Sequence, residues 1–94
     1  MTRKRRGLDY RDKPKMVANF LNDALSSGDT IVFVKAIGDV TRAQGMTKVS
    51  QETGLDRRTL YKSFGGEVMP HLDRVIRTLA ALQLKIVVKP IGQT

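Results

Sequence analysis

The residues best suited to chemistry form a short run near the middle of the chain, RRTLYKS, from Arg57 to Ser63. Three of these side chains are cations, and the polar ones can all take part in hydrogen bonds. A short helix with basic and polar residues near its N-terminal end suits the major groove of DNA. We therefore expect a DNA-reading helix whose outer face carries Arg57, Arg58, Thr59, Tyr61, Lys62 and Ser63.

Base reading is expected near the start of this helix. Arg57 and Arg58 lie at its N-terminal end, and an arginine side chain has two donors that match guanine O6 and N7. Tyr61, one turn further along, is a third candidate. The alternative is that this helix belongs to a compact helical domain and that its basic face is only solvated.

Phosphate contacts are expected from Thr47, Lys48 and Lys62. Thr47 and Lys48 begin the preceding helix, where free N–H groups and the positive end of the helix dipole favour an anion. Thr47 could instead be only a helix cap. Contacts of this kind position a protein on DNA but carry no direct sequence information.

Two short helices around a tight turn would position these side chains, in a helix-turn-helix unit over residues 46–66. We predict helices over Thr47–Thr53 and Asp56–Phe64. Gly54 can adopt the left-handed conformation that ends the first helix, and the Asp56 carboxylate can cap the second. The expected apolar anchors are Val49, Leu55, Leu60 and Phe64.

Three further helices are predicted around this unit, so the fold class is mainly α with five helices. Pro14 suits the first turn of one helix, and Asp29 or Thr30 can cap the next. The β-branched start of that second helix could also be a strand, but its apolar residues keep a 3.6-residue period. Gly38 inside it is expected to let another helix approach closely. The last helix has an apolar stripe of Leu72, Val75, Ile76, Leu79 and Leu82.

The segment 84–90, LKIVVKP, has a different pattern. Apolar and β-branched residues alternate with lysines there, which predicts a short C-terminal β-strand. Because no clear partner strand lies elsewhere in the chain, we expect it to pair with its copy in a homodimer. Pairing with residues 8–11, an extended tail, or a dimer joined through the last helix are the alternatives. The predicted dimer contacts are Leu84, Ile86, Val87 and Val88.

The charge balance favours an anionic partner. The 94 residues include 17 Lys and Arg against 9 Asp and Glu, for a net charge of +8, which is typical of nucleic-acid-binding proteins. Residues 1–13 are strongly basic and poor in apolar side chains, so we predict a flexible arm before a single domain over residues 14–94. The arm could contact phosphates or only be solvated.

Other function classes are disfavoured. The chain has no cysteine and one histidine, His71, and we find no nucleotide-binding loop, catalytic triad or metal-ligand cluster. We therefore expect no enzyme activity and no cofactor. No apolar run approaches the roughly 20 residues of a membrane span, and a cytoplasmic protein is expected.

The run GDVTRAQGMTKVSQETGLDRRTLYKSF, residues 38–64, resembles the Xre or Cro type of helix-turn-helix and, more narrowly, the addiction-module antidote proteins. The similarity continues into residues 70–73 and 82–85, so it covers roughly residues 8–91. This resemblance implies a five-helix repressor-like domain that binds a double-stranded DNA operator as a homodimer. It further implies an antitoxin of a type II toxin-antitoxin module that represses its own operon and neutralises a RelE-type toxin. The family commonly has asparagine where Met69 precedes Pro70, so the cap of the last helix departs from the pattern.

Two other functions fit the residues. One is a helix-turn-helix regulator, for example of phage origin, that has no toxin partner. The other is a basic protein-interaction module that binds an acidic partner and no DNA. A toxin gene next to this gene would separate the first from the antitoxin, and sequence-specific DNA binding would exclude the second.

Overall fold

The computed structural model describes residues 14–92, and over that range the chain is mainly helical, as predicted. Five helices are present there, which confirms the predicted number for this part of the chain. They are α1 (Pro14–Ser26), α2 (Thr30–Gln44), α3 (Met46–Thr53), α4 (Arg57–Ser63) and α5 (Leu72–Ala81). The basic arm of residues 1–13 and the last two residues lie outside the described range.

The helix boundaries follow local sequence signals. The Asp29 side chain accepts a hydrogen bond from the Ile31 N–H at 3.0 Å and so caps α2, which satisfies one of its free donors. Gly28, with φ of 81°, reverses the chain between α1 and α2. The β-branched residues after Asp29 belong to α2, so the helical interpretation of that run is correct.

The hydrophobic core is built around α2. This helix packs on α1 and α3, and α3 in turn packs on α4 and α5. Since Val34, Ile37 and Val40 recur at helical spacing, one face of α2 is buried along most of its length. The buried apolar residues are Val17, Leu21, Val34, Ala36, Ile37, Val40, Val49, Leu60, Phe64, Val75, Leu79 and Leu82.

Gly38 is the point of closest approach between α2 and the end of α4. A Cβ atom at this position would lie 2.5 Å from the Phe64 carbonyl oxygen and 3.2 Å from the Phe64 Cβ. Glycine is therefore needed here for space, as the sequence predicted. The contact fixes how deeply the C-terminal end of α4 sits against the core.

The apolar stripe predicted for α5 is only partly buried. Val75, Leu79 and Leu82 lie in the core, whereas Leu72 is 66% exposed and Ile76 is 47% exposed. The latter two are one helical turn apart and lie on a side of α5 that the described residues leave uncovered. His71 is the N-cap residue of α5, but its side chain makes no capping hydrogen bond.

The predicted C-terminal strand is not present. Residues 84–90 contain no strand, and no residue within 14–92 pairs with them as a sheet would. Alternating β-branched residues favour an extended backbone, but a strand also needs a neighbour to accept its hydrogen bonds, and residues 14–92 offer none. Residues 8–11, the alternative partner, lie outside the described range. Val87 and Val88, two of the predicted dimer contacts, are 62% and 89% exposed.

Candidate nucleic-acid interface

The turn between α3 and α4 is fixed by backbone and side-chain hydrogen bonds. Gly54 has φ of 79°, and its N–H donates to the Ser50 carbonyl at 2.9 Å. The buried Thr53 hydroxyl donates to the Val49 carbonyl at 2.8 Å and accepts from the Leu55 N–H at 3.1 Å. The role of Gly54 was predicted, whereas that of Thr53 was missed. Threonine at the end of a helix, before glycine, is the signal that could have revealed it.

Asp56 caps α4, as predicted. Its carboxylate accepts the Thr59 N–H at 2.7 Å, and the Asp56 carbonyl accepts the Leu60 N–H at 3.0 Å. The backbone hydrogen bond from Thr59 is the main cause of a lowered pKa at Asp56; the Thr59 side chain, Arg58 and Arg74 add to it, and desolvation partly opposes it. The ionised carboxylate therefore stabilises the start of the helix that carries the predicted DNA contacts.

Four of the six residues predicted on the outer face of α4 are exposed, namely Arg57, Arg58, Tyr61 and Lys62. Thr59 is half-buried and Ser63 is 1% exposed, so the placement of Ser63 outside was wrong. Ser63 follows Leu60 by three residues and therefore shares its buried stripe, a spacing that could have predicted this. The Ser63 Oγ accepts a hydrogen bond from Arg74 Nη1 of α5 at 3.2 Å.

The exposed surface of α4 has two sides. Arg58 and Lys62, four residues apart, line a cleft of about 380 Å³ between α4 and α5, whereas Arg57 and Tyr61 do not. We call it the α4–α5 cleft. Its walls are Arg58, Thr59, Lys62 and Ser63 from α4, residues 68–71 of the connecting loop, and Arg74 from α5.

The cations of α4 form no ion pair with a carboxylate of residues 14–92, although Arg58 interacts electrostatically with the Asp56 carboxylate. Elsewhere in the described range, Arg42 pairs with Asp39, Lys48 Nζ lies 3.3 Å from Glu52 Oε2, and Arg77 Nη1 lies 3.7 Å from Asp73 Oδ2. Among residues 14–92, no carboxylate lies within 4.0 Å of the charged groups of Arg57, Arg58, Lys62 or Arg74. The positive charge of α4 is therefore available to an external anion.

Thr47 and Lys48 are exposed in the first turn of α3. The helix begins at Met46, with Gly45 in the N-cap position and no side-chain capping bond. Thr47 is thus not the cap, which removes the alternative role considered for it. Lys48 forms an i,i+4 ion pair with Glu52, but both side chains are about half exposed, so this pair competes only weakly with another anion.

No group of His, Asp or Glu side chains within residues 14–92 is arranged to hold a metal ion. Over the same residues, no helix is both long enough and apolar enough to cross a lipid bilayer.

These features define a small helical protein with a two-helix unit and a basic surface on α4 that forms no ion pairs within residues 14–92. The chain belongs to a family described as "probable addiction module antidote protein", which it matches over residues 4–90. It is also similar to a protein of Haemophilus influenzae (strain ATCC 51907 / DSM 11121 / KW20 / Rd) described as "uncharacterized protein". The two are 30% identical over 70 residues, which are 74% of this chain and 72% of the relative. No solved structure matches the chain.

The family assignment confirms the antidote part of the resemblance. An antidote family implies a toxin partner in general, and its members are generally not enzymes. The Xre or Cro type, the RelE type of the toxin and the roles of the individual residues stay predictions.

Proposed function

We propose that this protein is a cytoplasmic antitoxin that binds its own operator through α3 and α4, represses its operon and neutralises a RelE-type toxin. The observation that carries the DNA-binding part is that Arg57, Arg58 and Lys62, on a capped and exposed helix, form no ion pair within residues 14–92. The antitoxin part rests on the family.

Sequence reading is assigned to α4. Arg57 and Arg58 occupy the first turn of this helix, and Tyr61 follows one turn later with 47% of its surface exposed. A helix that enters the major groove presents its N-terminal residues to the base edges. A free guanidinium there can donate two hydrogen bonds to one guanine, whereas the ammonium group of a lysine lacks this planar, two-donor geometry.

Phosphate contacts are assigned to Thr47, Lys48 and Lys62. Thr47 and Lys48 lie in the first turn of α3, where N–H groups not used within the helix point outward. Lys62 lies at the other end of the unit, in the last turn of α4. Two groups of contacts, one from each helix, would hold α4 in register along the groove.

A homodimer is proposed because one two-helix unit covers only one half-site. Two units bind adjacent half-sites when their separation is one helical turn of DNA, roughly 34–36 Å. We assign the joint to residues 84–90. The Leu84 N–H donates to the Leu79 carbonyl at 2.9 Å, but residues 85–90 are exposed and make no backbone hydrogen bond within residues 14–92. This segment can pair antiparallel with its copy and place Leu84, Ile86, Val87 and Val88 at the interface. The rival joint is the uncovered side of α5 at Leu72 and Ile76.

The DNA-binding function can be tested by gel shift with the fragment upstream of the gene, at about 150 mM salt, near physiological ionic strength. We expect Arg57→Ala and Arg58→Ala each to lose about 1–3 kcal/mol of discrimination against random DNA. Arg77→Ala is the matched control, because Arg77 is also exposed but is ion-paired with Asp73. If the wild type prefers no fragment over random DNA, the proposal of sequence-specific binding is wrong.

The antitoxin function needs a separate experiment. The adjacent gene is expressed from an inducible promoter with and without this protein, and growth is followed. We expect the adjacent product alone to arrest growth and co-expression to restore it. If growth arrest persists although this protein is present and folded, the antitoxin function is excluded. The remaining proposal is then a DNA-binding regulator without a toxin partner.

A further inference from the structure

The α4–α5 cleft concentrates positive charge from two helices that are distant in sequence. Arg58 and Lys62 line it from α4, and Arg74 lines it from α5. Within the described range, none of these three charged groups has a carboxylate within ion-pair distance, whereas Arg42, Lys48 and Arg77 each do. Three like charges around one cleft repel each other, and a bound anion would relieve that repulsion.

Arg74 is held in place at the cleft. It is half-buried, and its Nη1 donates to the buried Ser63 Oγ at 3.2 Å. A guanidinium has five N–H donors in a fixed plane, so this single bond orients the group and leaves other donors for a ligand. A side chain that is already ordered loses less conformational entropy when it binds.

The remaining lining is mixed, with three polar residues and the apolar Val68, Met69 and Pro70. The Thr59 and Ser63 hydroxyls and the His71 ring contribute polar groups beside the three cations. The neighbouring Asp56 carboxylate is already engaged by the Thr59 N–H, and its lowered pKa is caused in smaller part by Arg58 and Arg74, in agreement with a positive potential here. Arginine and lysine together with hydroxyl donors are the groups that proteins use to bind phosphate.

We propose that the α4–α5 cleft binds a phosphate group, with Lys62 and Arg74 as its charged ligands. Arg58 also lines the cleft and adds positive charge there, but it keeps its assigned role in base reading. The source of that phosphate rests on the proposed function: it is the DNA backbone beside the groove that α4 enters. A free phosphorylated ligand offers the same chemistry, and the experiments below distinguish the two sources. In either case Arg74 becomes a binding residue outside the two-helix unit, and Ser63 becomes the residue that positions it.

The first experiment uses the full chain without DNA and inorganic pyrophosphate as the probe. Amide and arginine side-chain NMR signals are followed during a titration of the wild type, Arg74→Gln and Arg77→Gln. We expect saturable shifts at Thr59, Ser63 and Arg74, about tenfold weaker binding in Arg74→Gln, as for one lost charge-assisted contact, and no change in Arg77→Gln. Lys62→Gln, at an exposed position, provides a second variant whose folding is not at risk.

The second experiment uses a short random-sequence duplex, since phosphate contacts do not depend on sequence. The slope of log K against log salt should fall by about 0.9 in Arg74→Gln, the value for one phosphate, and remain unchanged in Arg77→Gln. On the operator, where the binding register is fixed, replacing single phosphates by neutral methylphosphonates should weaken the wild type at one position per half-site, and Arg74→Gln should be insensitive there. Ser63→Ala should give a smaller loss of the same kind.

The outcomes separate this proposal from the DNA-binding function. Pyrophosphate binding that depends on Arg74, with an unchanged slope on DNA or no DNA binding, supports the cleft as a site for a free phosphorylated ligand. Normal DNA binding in Arg74→Gln together with no saturable pyrophosphate shift in the wild type overturns the phosphate site and leaves the DNA-binding function standing. Equal effects of Arg74→Gln and Arg77→Gln in both experiments also overturn it.

Discussion

Replacing Gly38 by alanine should destabilise the protein, although alanine is the better helix former. Gly38 lies inside α2, where Gly→Ala normally stabilises by about 1 kcal/mol. The new Cβ would lie 2.5 Å from the Phe64 carbonyl oxygen, short of ordinary van der Waals contact at 3.4 Å by about 0.9 Å. The obstructing atom belongs to the backbone, so it cannot move aside as the end of a side chain could.

The net effect follows from these two opposing contributions. Overpacking a closely packed site costs typically about 1–3 kcal/mol, and a clash with backbone belongs in the upper part of that range. After subtraction of the propensity gain of about 1 kcal/mol, we expect Gly38→Ala to lower the free energy of unfolding by about 1–2 kcal/mol. Since the clash pushes the end of α4 away from α2, we also expect weaker DNA binding beyond the loss of stability.

Urea unfolding followed by circular dichroism measures the first effect, and gel shifts under conditions where both proteins remain folded measure the second. Asp39→Ala is the control, because Asp39 is the next residue on α2 and is exposed, so its effect should stay within about 0.5 kcal/mol. A Gly38→Ala protein that is more stable than the wild type by about 1 kcal/mol would refute the close packing of α2 against Phe64.

Three other predictions concern Asp56, Thr78 and Val87. The pKa of Asp56 is lowered, so the stability that its carboxylate contributes is fully present above the ordinary pKa of 3.8 and is lost as the pH falls from 3.8 through the lowered pKa. Urea titrations at several pH values should show this loss in the wild type but not in Asp56→Asn. The Thr78 side chain is fully buried, and its hydroxyl has no hydrogen-bond partner among residues 14–92. Thr78→Val should therefore raise the free energy of unfolding by about 1 kcal/mol, and a lower unfolding midpoint would contradict this. Val87→Pro removes a backbone hydrogen-bond donor from the proposed dimer joint. We expect the helical circular dichroism to stay unchanged and sedimentation to show a monomer. A Val87→Pro protein that remains dimeric would exclude residues 84–90 as the joint.

Most of the fold could be predicted because its signals are local. Asp29 and Asp56 precede their helices as acidic caps, and Gly54 follows a helix where a left-handed residue is required. The 3.6-residue period of α2 correctly outweighed its β-branched residues. Each of these signals depends on only a few neighbouring residues, so the amino-acid sequence was sufficient.

The missed features depend on how distant segments meet. The contact between Ser63 and Arg74 forms only when α5 packs beside α4, because Arg74 lies eleven positions later in the chain. The α4–α5 cleft has the same origin, since its cations come from both helices. The prediction of a strand at residues 84–90 was wrong for a related reason. An alternating pattern predicts an extended backbone, but a strand also needs a pairing partner, which residues 14–92 do not provide.

The placement of α4 explains why these tertiary contacts matter for the proposed function. A helix of 7 residues is too short to be stable alone in water, so its position must come from its surroundings. Asp56 caps its beginning, Gly38 receives the backbone of Phe64 just beyond its end, and Ser63 ties its last turn to Arg74. Base reading by Arg57 and Arg58 would require α4 to enter the groove at a defined depth and angle. The three contacts fix both ends of α4, so substitutions at Gly38 and Ser63 should change DNA binding although Gly38 and Ser63 themselves are buried.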